Sequence, residues 1–191
     1  CGVFASGCYG IFNQASSMKW VFPTLLTAFV VMFRFAGIEY PELLNVTPLF
    51  ALFLCFGKEL AGYIYIPIFG FMLSDIVLNA HYGYQTSPTH FLFTYCALYA
   101  TYMIGGLKNF GLLSKSVIAT TGFFLLTSFM AWLSNPAYGS SFGDMVYAIV
   151  IGEPNYPPAY LFYLKSLVGN FGFAFLFDFV ALVIVERMLV G

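Results

Sequence analysis

SVIATTGFFLLTSFMAWL, residues 116–133, carries no charged side chain from end to end. Each helical residue advances about 1.5 Å, so the run covers most of the roughly 30 Å of hydrocarbon in a bilayer. Lys115 closes it on one side and the turn pair Asn135-Pro136 on the other. Five further stretches come close to the same requirement: 19–37, 43–57, 61–79, 90–107 and 160–185. The fold expected is all-α, an integral membrane bundle of about six transmembrane helices. It forms a single domain over residues 19–191, behind an N-terminal segment 1–18.

Composition points the same way. The 191 residues are 61% hydrophobic and 8% charged, with a mean hydropathy of +0.87. A soluble domain carries roughly 25% charged residues because water must solvate its surface, so the expected environment of most of this surface is the lipid bilayer. The net charge of −1 and the lack of any basic run argue against nucleic acid as a partner. Residues 1–18 lack the basic start and clean apolar core of a cleavable signal. Cys1-Gly2 would suit a lipidated cysteine, but the topology derived next places that end inside.

Positive charge is retained on the cytoplasmic side of a membrane. Lys19, Lys58, Lys108, Lys115 and Arg187 fall on one side of the six-span scheme, and Glu39, Glu42, Asp144 and Glu153 on the other. Both termini are therefore expected in the cytoplasm, in a multi-pass membrane protein.

The second stretch is unusual. Only residues 46–55 are strongly apolar, and Pro48 sits in the first turns without a backbone donor. Asn45, Thr47 and Pro48 read either as an ordinary helix start or as irregular backbone walling a site, which membranes tolerate where protein covers it.

Ionisable and polar side chains at membrane depth are costly and normally face the protein interior. Arg34, Asp75, Lys165 and Asn170 fall in the outer halves of their helices, with Thr127, Ser128 and Trp132 level with them. These residues form either a structural ion pair, with Asp75 neutralised by Arg34 or Lys165, or an outward pocket for a polar small molecule. The candidate substrate-binding set is Arg34, Asn45, Thr47, Asp75, Ser128, Trp132, Lys165 and Asn170. The long connection 135–158 is expected to form a lid with a short helix near 144–151, and Tyr138, Tyr147 and Tyr156 are its candidate contacts. Asp178, deeper in the last helix, is expected to make a buried hydrogen bond. Cys55 and Cys96, inside apolar runs, read as small buried hydrophobes. Ala97, Thr101 and Gly105, four apart, form a small-residue stripe for close helix packing. His81 and His90 have no metal-ligand spacing, and no metal or cofactor is expected. No nucleotide-binding loop, nucleophile elbow or paired-carboxylate motif is present, so no enzymatic activity is expected.

The stretches 45–53 (NVTPLFALF), 72–75 (MLSD), 123–128 with 131–133 (FFLLTS, AWL), and 147–175 around Leu167-Val168-Gly169-Asn170 carry a resemblance. They resemble an uncharacterised family of small bacterial membrane proteins described as putative transport proteins, similar to the substrate-binding S components of energy-coupling-factor transporters. The resemblance covers most of residues 43–178. It implies six helices, an outward-facing substrate site and a partner module of two ATPases and a coupling protein. Two positions depart from the family pattern, Ser128 standing where it has Asn and Asn170 where it has Asp; S components also tend to carry an A-x-x-x-A docking motif on helix 1, whereas here Ala28 is followed four residues on by Met32. Two functions are thus expected in order: a substrate-binding subunit for uptake of a small solute, then a non-catalytic accessory subunit of a larger membrane complex.

Overall fold

The computed structural model describes residues 20–43, 46, 48–57, 60, 62–83, 88–153 and 157–190. Among these the chain is all-α. Helix α1 is Val21–Glu39, followed by a 3-10 turn at Pro41–Leu43; α2 is Leu49–Phe56, α3 Tyr65–Tyr82, α4 Pro88–Gly105, α5 Leu112–Ser134, α6 Phe142–Val150 and α7 Ala159–Val190. Two of them, α5 and the 159–180 part of α7, have the length and apolarity of membrane-crossing helices.

The expected second span is much shorter than 43–57. Pro48 sits at the N-cap of α2, where its missing N–H costs nothing, and the helix runs only to Phe56 before Gly57. At 1.5 Å per residue α2 is about 12 Å long, against about 35 Å for α5. A helix of this length does not cross a bilayer.

Yet α2 is the centre of the molecule. Leu49, Phe50, Ala51, Leu52, Phe53 and Leu54 are each at most 5% exposed. Five helices close around it. α1 packs on α3; α7 meets α1 through Phe29 and Phe33 against Phe173 and Phe177; α7 packs on α5, and α5 on α4. Tyr95 of α4 then reaches Phe71 and Asp75 of α3 to complete the ring. From inside, α2 packs on α4, α5 and α7.

The small-residue stripe of α4 explains one of these contacts. Ala97 and Thr101 are buried, and a Cβ at Gly105 would lie 2.5 Å from the Phe53 carbonyl oxygen. Only hydrogen fits there, so the stripe serves internal packing against α2. Opposite, Gly169 lets α7 approach the backbone of Val46.

Large apolar side chains also cover the outside, whereas several polar ones lie inside. Leu25, Met32, Phe69, Val168, Phe175 and Phe179 are more than half exposed, whereas Thr27, Ser74, Thr101, Ser116, Thr120 and Asn170 are buried. Two sequence expectations fail in this packing. Asp178 is exposed, because the inward face of α7 is set by Asn170, Ala174 and Phe177 and the next residue turns about 100° away. Cys96 is exposed for the same reason beside the buried Ala97 and Leu98, whereas Cys55 is half-buried, its thiol 3.7 Å from the Ala174 carbonyl.

Candidate functional site

α1 and α3 run in the same direction, since Thr27 lies against Gly70 while Arg34 reaches Asp75. Arg34 and Asp75 are thereby brought to one level, about 10 Å or less from the Glu39 and Tyr82 ends of their helices. Arg34 donates through Nη2 to Asp75 Oδ1, and through Nη1 to Ser74 Oγ at 2.9 Å and the Phe71 carbonyl at 3.4 Å. Its guanidinium also lies 3.7 Å from the centre of the Phe71 ring, a cation–π contact. The Tyr95 hydroxyl completes the group by donating to Asp75 Oδ2 at 2.7 Å.

Both charged side chains keep 16–17% of their surface, so the pair is largely desolvated but reachable. Such a cluster is neutral overall, and its hydrogen bonds are charge-assisted. It can hold a polar or ionic group by exchanging one of these bonds.

The other candidates are distributed around the ring. Lys165 is half-buried on α7 and joins no ion pair among the described residues, where the single pair is Arg34 with Asp75. Ser128 is half-buried on α5, one turn before Trp132. Trp132 Nε1 donates to the Gly139 carbonyl at 2.9 Å, so it pins the start of the α5–α6 connection. Asn170 is fully buried and donates to Thr120 Oγ1 at 3.2 Å across α5 and α7. Asn45, Thr47 and Tyr156 lie outside the described residues.

The short helix expected near 144–151 is α6, which packs on α5 and α7. It starts with a capping box: Ser141 Oγ accepts from the Asp144 amide, and Asp144 Oδ2 accepts from the Ser141 amide at 2.9 Å and hydroxyl at 2.6 Å. The hydrogen bonds from Ser141 hold the Asp144 carboxyl below its ordinary range. Tyr138 is half-buried, and burial, with the Glu153 charge second, raises its hydroxyl above the usual tyrosine value. Tyr147, by contrast, is on the exposed face of α6.

Tyr95, Ser74 and Phe71 were missed by the sequence. A tyrosine inside an apolar run reads as packing, and only the three-dimensional closeness of α3 and α4 reveals its role.

A cavity of about 500 Å³ lies elsewhere. It is a groove between the lower parts of α1 and α3, lined by Thr24, Thr27, Ala28, Ile66, Phe69 and Gly70 among others. Its threonine hydroxyls donate to their own helix, to the Trp20 and Pro23 carbonyls. Its lining is otherwise apolar apart from Tyr65 and carries no charged group, so it is a weaker site for a polar solute than the Arg34–Asp75 cluster.

Among the described residues these features define an all-α protein with two helices long and apolar enough to cross a membrane and one desolvated ion-pair cluster. The model of DUF6580, a family of unknown function, matches residues 14–189, and the chain belongs to that family. No curated protein and no solved structure matches the chain.

Proposed function

We propose that this chain is a six-span bacterial inner-membrane protein with both termini in the cytoplasm. In this reading it is the substrate-binding subunit, S-component-like, of an uptake system for a small solute. Arg34, Asp75 and Tyr95 hold the solute from one wall, with Lys165, Ser128 and Trp132 at the same level on the other helices. A separate ATPase-containing module supplies the energy.

The observation that carries the reading is the shortness of α2 within the ring. Phe50 meets Phe123 and Val46 meets Gly169, both about 15 Å below the outer ends of α5 and α7. The described residues that lead into α2 form a 3-10 turn at Pro41–Leu43, and α2 itself does not extend to the outer part of the bundle. Interrupted backbone at the bundle centre, level with ionisable groups, is how membrane carriers house polar solutes. The outward apolar faces of the other helices, and the resemblance over 43–178, support the same reading.

A second reading has its own support. Arg34 and Asp75 are already satisfied by Ser74, Phe71 and Tyr95, as a structural pair would be in an accessory subunit of a larger membrane complex. Purification in mild detergent separates the two. An ATPase partner together with a co-purifying small molecule is the result expected for the binding subunit. A stoichiometric complex without any ATPase would favour the accessory role.

A further inference from the structure

Several helical hydroxyls among the described residues satisfy themselves within their own helix. Thr24, Thr27, Thr101 and Ser134 each donate to the carbonyl four residues back, at 2.7–3.1 Å. Ser116 does not. It is 0% exposed, and its Oγ has no hydrogen-bond partner among the described residues. One turn on, Thr120 uses its oxygen to accept from Asn170 Nδ2, and the other end of that amide, Asn170 Oδ1, is buried without a partner as well.

Two orphaned polar atoms therefore face one seam, between α5 and α7. Leaving a buried donor or acceptor unmade costs about 1–3 kcal/mol, and such groups are paired in most structures. Beside them lies a cavity of about 60 Å³, whose lining includes Ser116 together with Phe171 and Ala174, the near neighbours of Asn170 on α7. One water needs about 10–15 Å³ of such space.

The chemistry of the seam selects its guest. Asn170 Oδ1 can only accept, so the guest must donate to it, whereas Ser116 Oγ can donate to the guest or accept from it. The remaining lining, Leu112, Leu113 and Phe175, is apolar and brings no charge to balance an ion. Ser116 and Thr120 are separated by about 6 Å along α5, a gap bridged by hydrogen bonds through one or two waters.

We propose that the α5–α7 seam is a built-in hydration site, in which one or two internal waters link Ser116 Oγ to Asn170 Oδ1. The pairing of the two longest apolar helices then depends on bound water as well as on direct packing. The proposal stands independently of any solute.

The test compares Ser116→Ala, Asn170→Leu and the double variant, by thermal unfolding of the full chain in lipid nanodiscs. With a bridging water each single change lowers the midpoint, and the double change lowers it by less than the sum, because both break the same link. In a dry seam Ser116→Ala removes an unmet polar group, so its midpoint stays or rises, while Asn170→Leu costs only its bond to Thr120 and the two effects add; that outcome overturns the proposal. A midpoint that differs between Na⁺ and K⁺ at equal ionic strength overturns it in favour of a cation. Should a variant fail to fold, the wild-type chain alone decides by X-ray radiolysis in H₂¹⁸O. Hydroxyl labelling of Phe171 is expected from a neighbouring trapped water, and its absence counts against one.

Discussion

The Tyr95 hydroxyl donates to Asp75 Oδ2 across 2.7 Å, so the carboxylate on α3 is held from α4 as well as from Arg34 on α1. Three helices thus converge on one acid. Tyr95→Phe removes this donor but keeps the ring against Phe91, at 4.5 Å between centroids, and against Phe71. A loss of about 1–2 kcal/mol in unfolding free energy is expected, with no change in helix content by circular dichroism.

Breaking the ion pair from one side is expected to cost more than removing it. Arg34→Met leaves Asp75 largely desolvated and without its counter-charge, at a cost of about 3 kcal/mol. Adding Asp75→Leu should recover most of that loss, because neither charge is then stranded. Unfolding curves in one detergent decide the matter: a double variant no more stable than the single one contradicts the assignment.

The approach of α4 to the central helix depends on Gly105. Gly105→Ala places a methyl group 2.5 Å from the Phe53 carbonyl and 3.3 Å from Leu54 Cα, both backbone atoms. Such overpacking costs about 1–3 kcal/mol. Gly122→Ala is the control, since nothing lies within 4 Å of its added carbon and no loss of stability is expected.

The α6 cap should respond to acid. Ser141 holds the Asp144 carboxyl below its ordinary value of 3.8, so the cap contributes fully above that pH and its contribution is lost as pH falls through the depressed value. Hydrogen-exchange protection of α6 is therefore expected to be flat from neutral pH down to about 4 and to fall below it. In Asp144→Ala the acid-dependent step should vanish. Gly139→Ala should loosen the same turn at every pH, because its methyl would occupy the space of the Asp144 carboxyl.

How far the sequence could be read follows from which forces act locally. The apolar runs fixed the positions of α1, α3, α4, α5 and α7 to within a few residues, since length and hydropathy are properties of a single segment. They also overstated α2. Its shortness is set by Pro48 at one end and Gly57 at the other, and the neighbouring residues 43–47 look apolar enough to join it. Arg34 and Asp75 were legible as a possible pair because charges in apolar runs must find partners. Lys165 was equally visible and is not in that pair, as helix rotation cannot be read from a run that is hydrophobic all round. The same limit hid Tyr95 and misplaced Asp178. Asn170 was singled out as a site residue, but only the packing of α5 on α7 shows that it faces Thr120.

The most direct test of the central claim is native mass spectrometry of the chain released from its own membranes, as wild type and as Asp75→Asn. The account predicts a small-molecule adduct on the wild type that is lost from the variant while the fold persists, and an ATPase-containing assembly at lower activation. A wild-type chain without any adduct, held in a stoichiometric complex that has no ATPase, would contradict it.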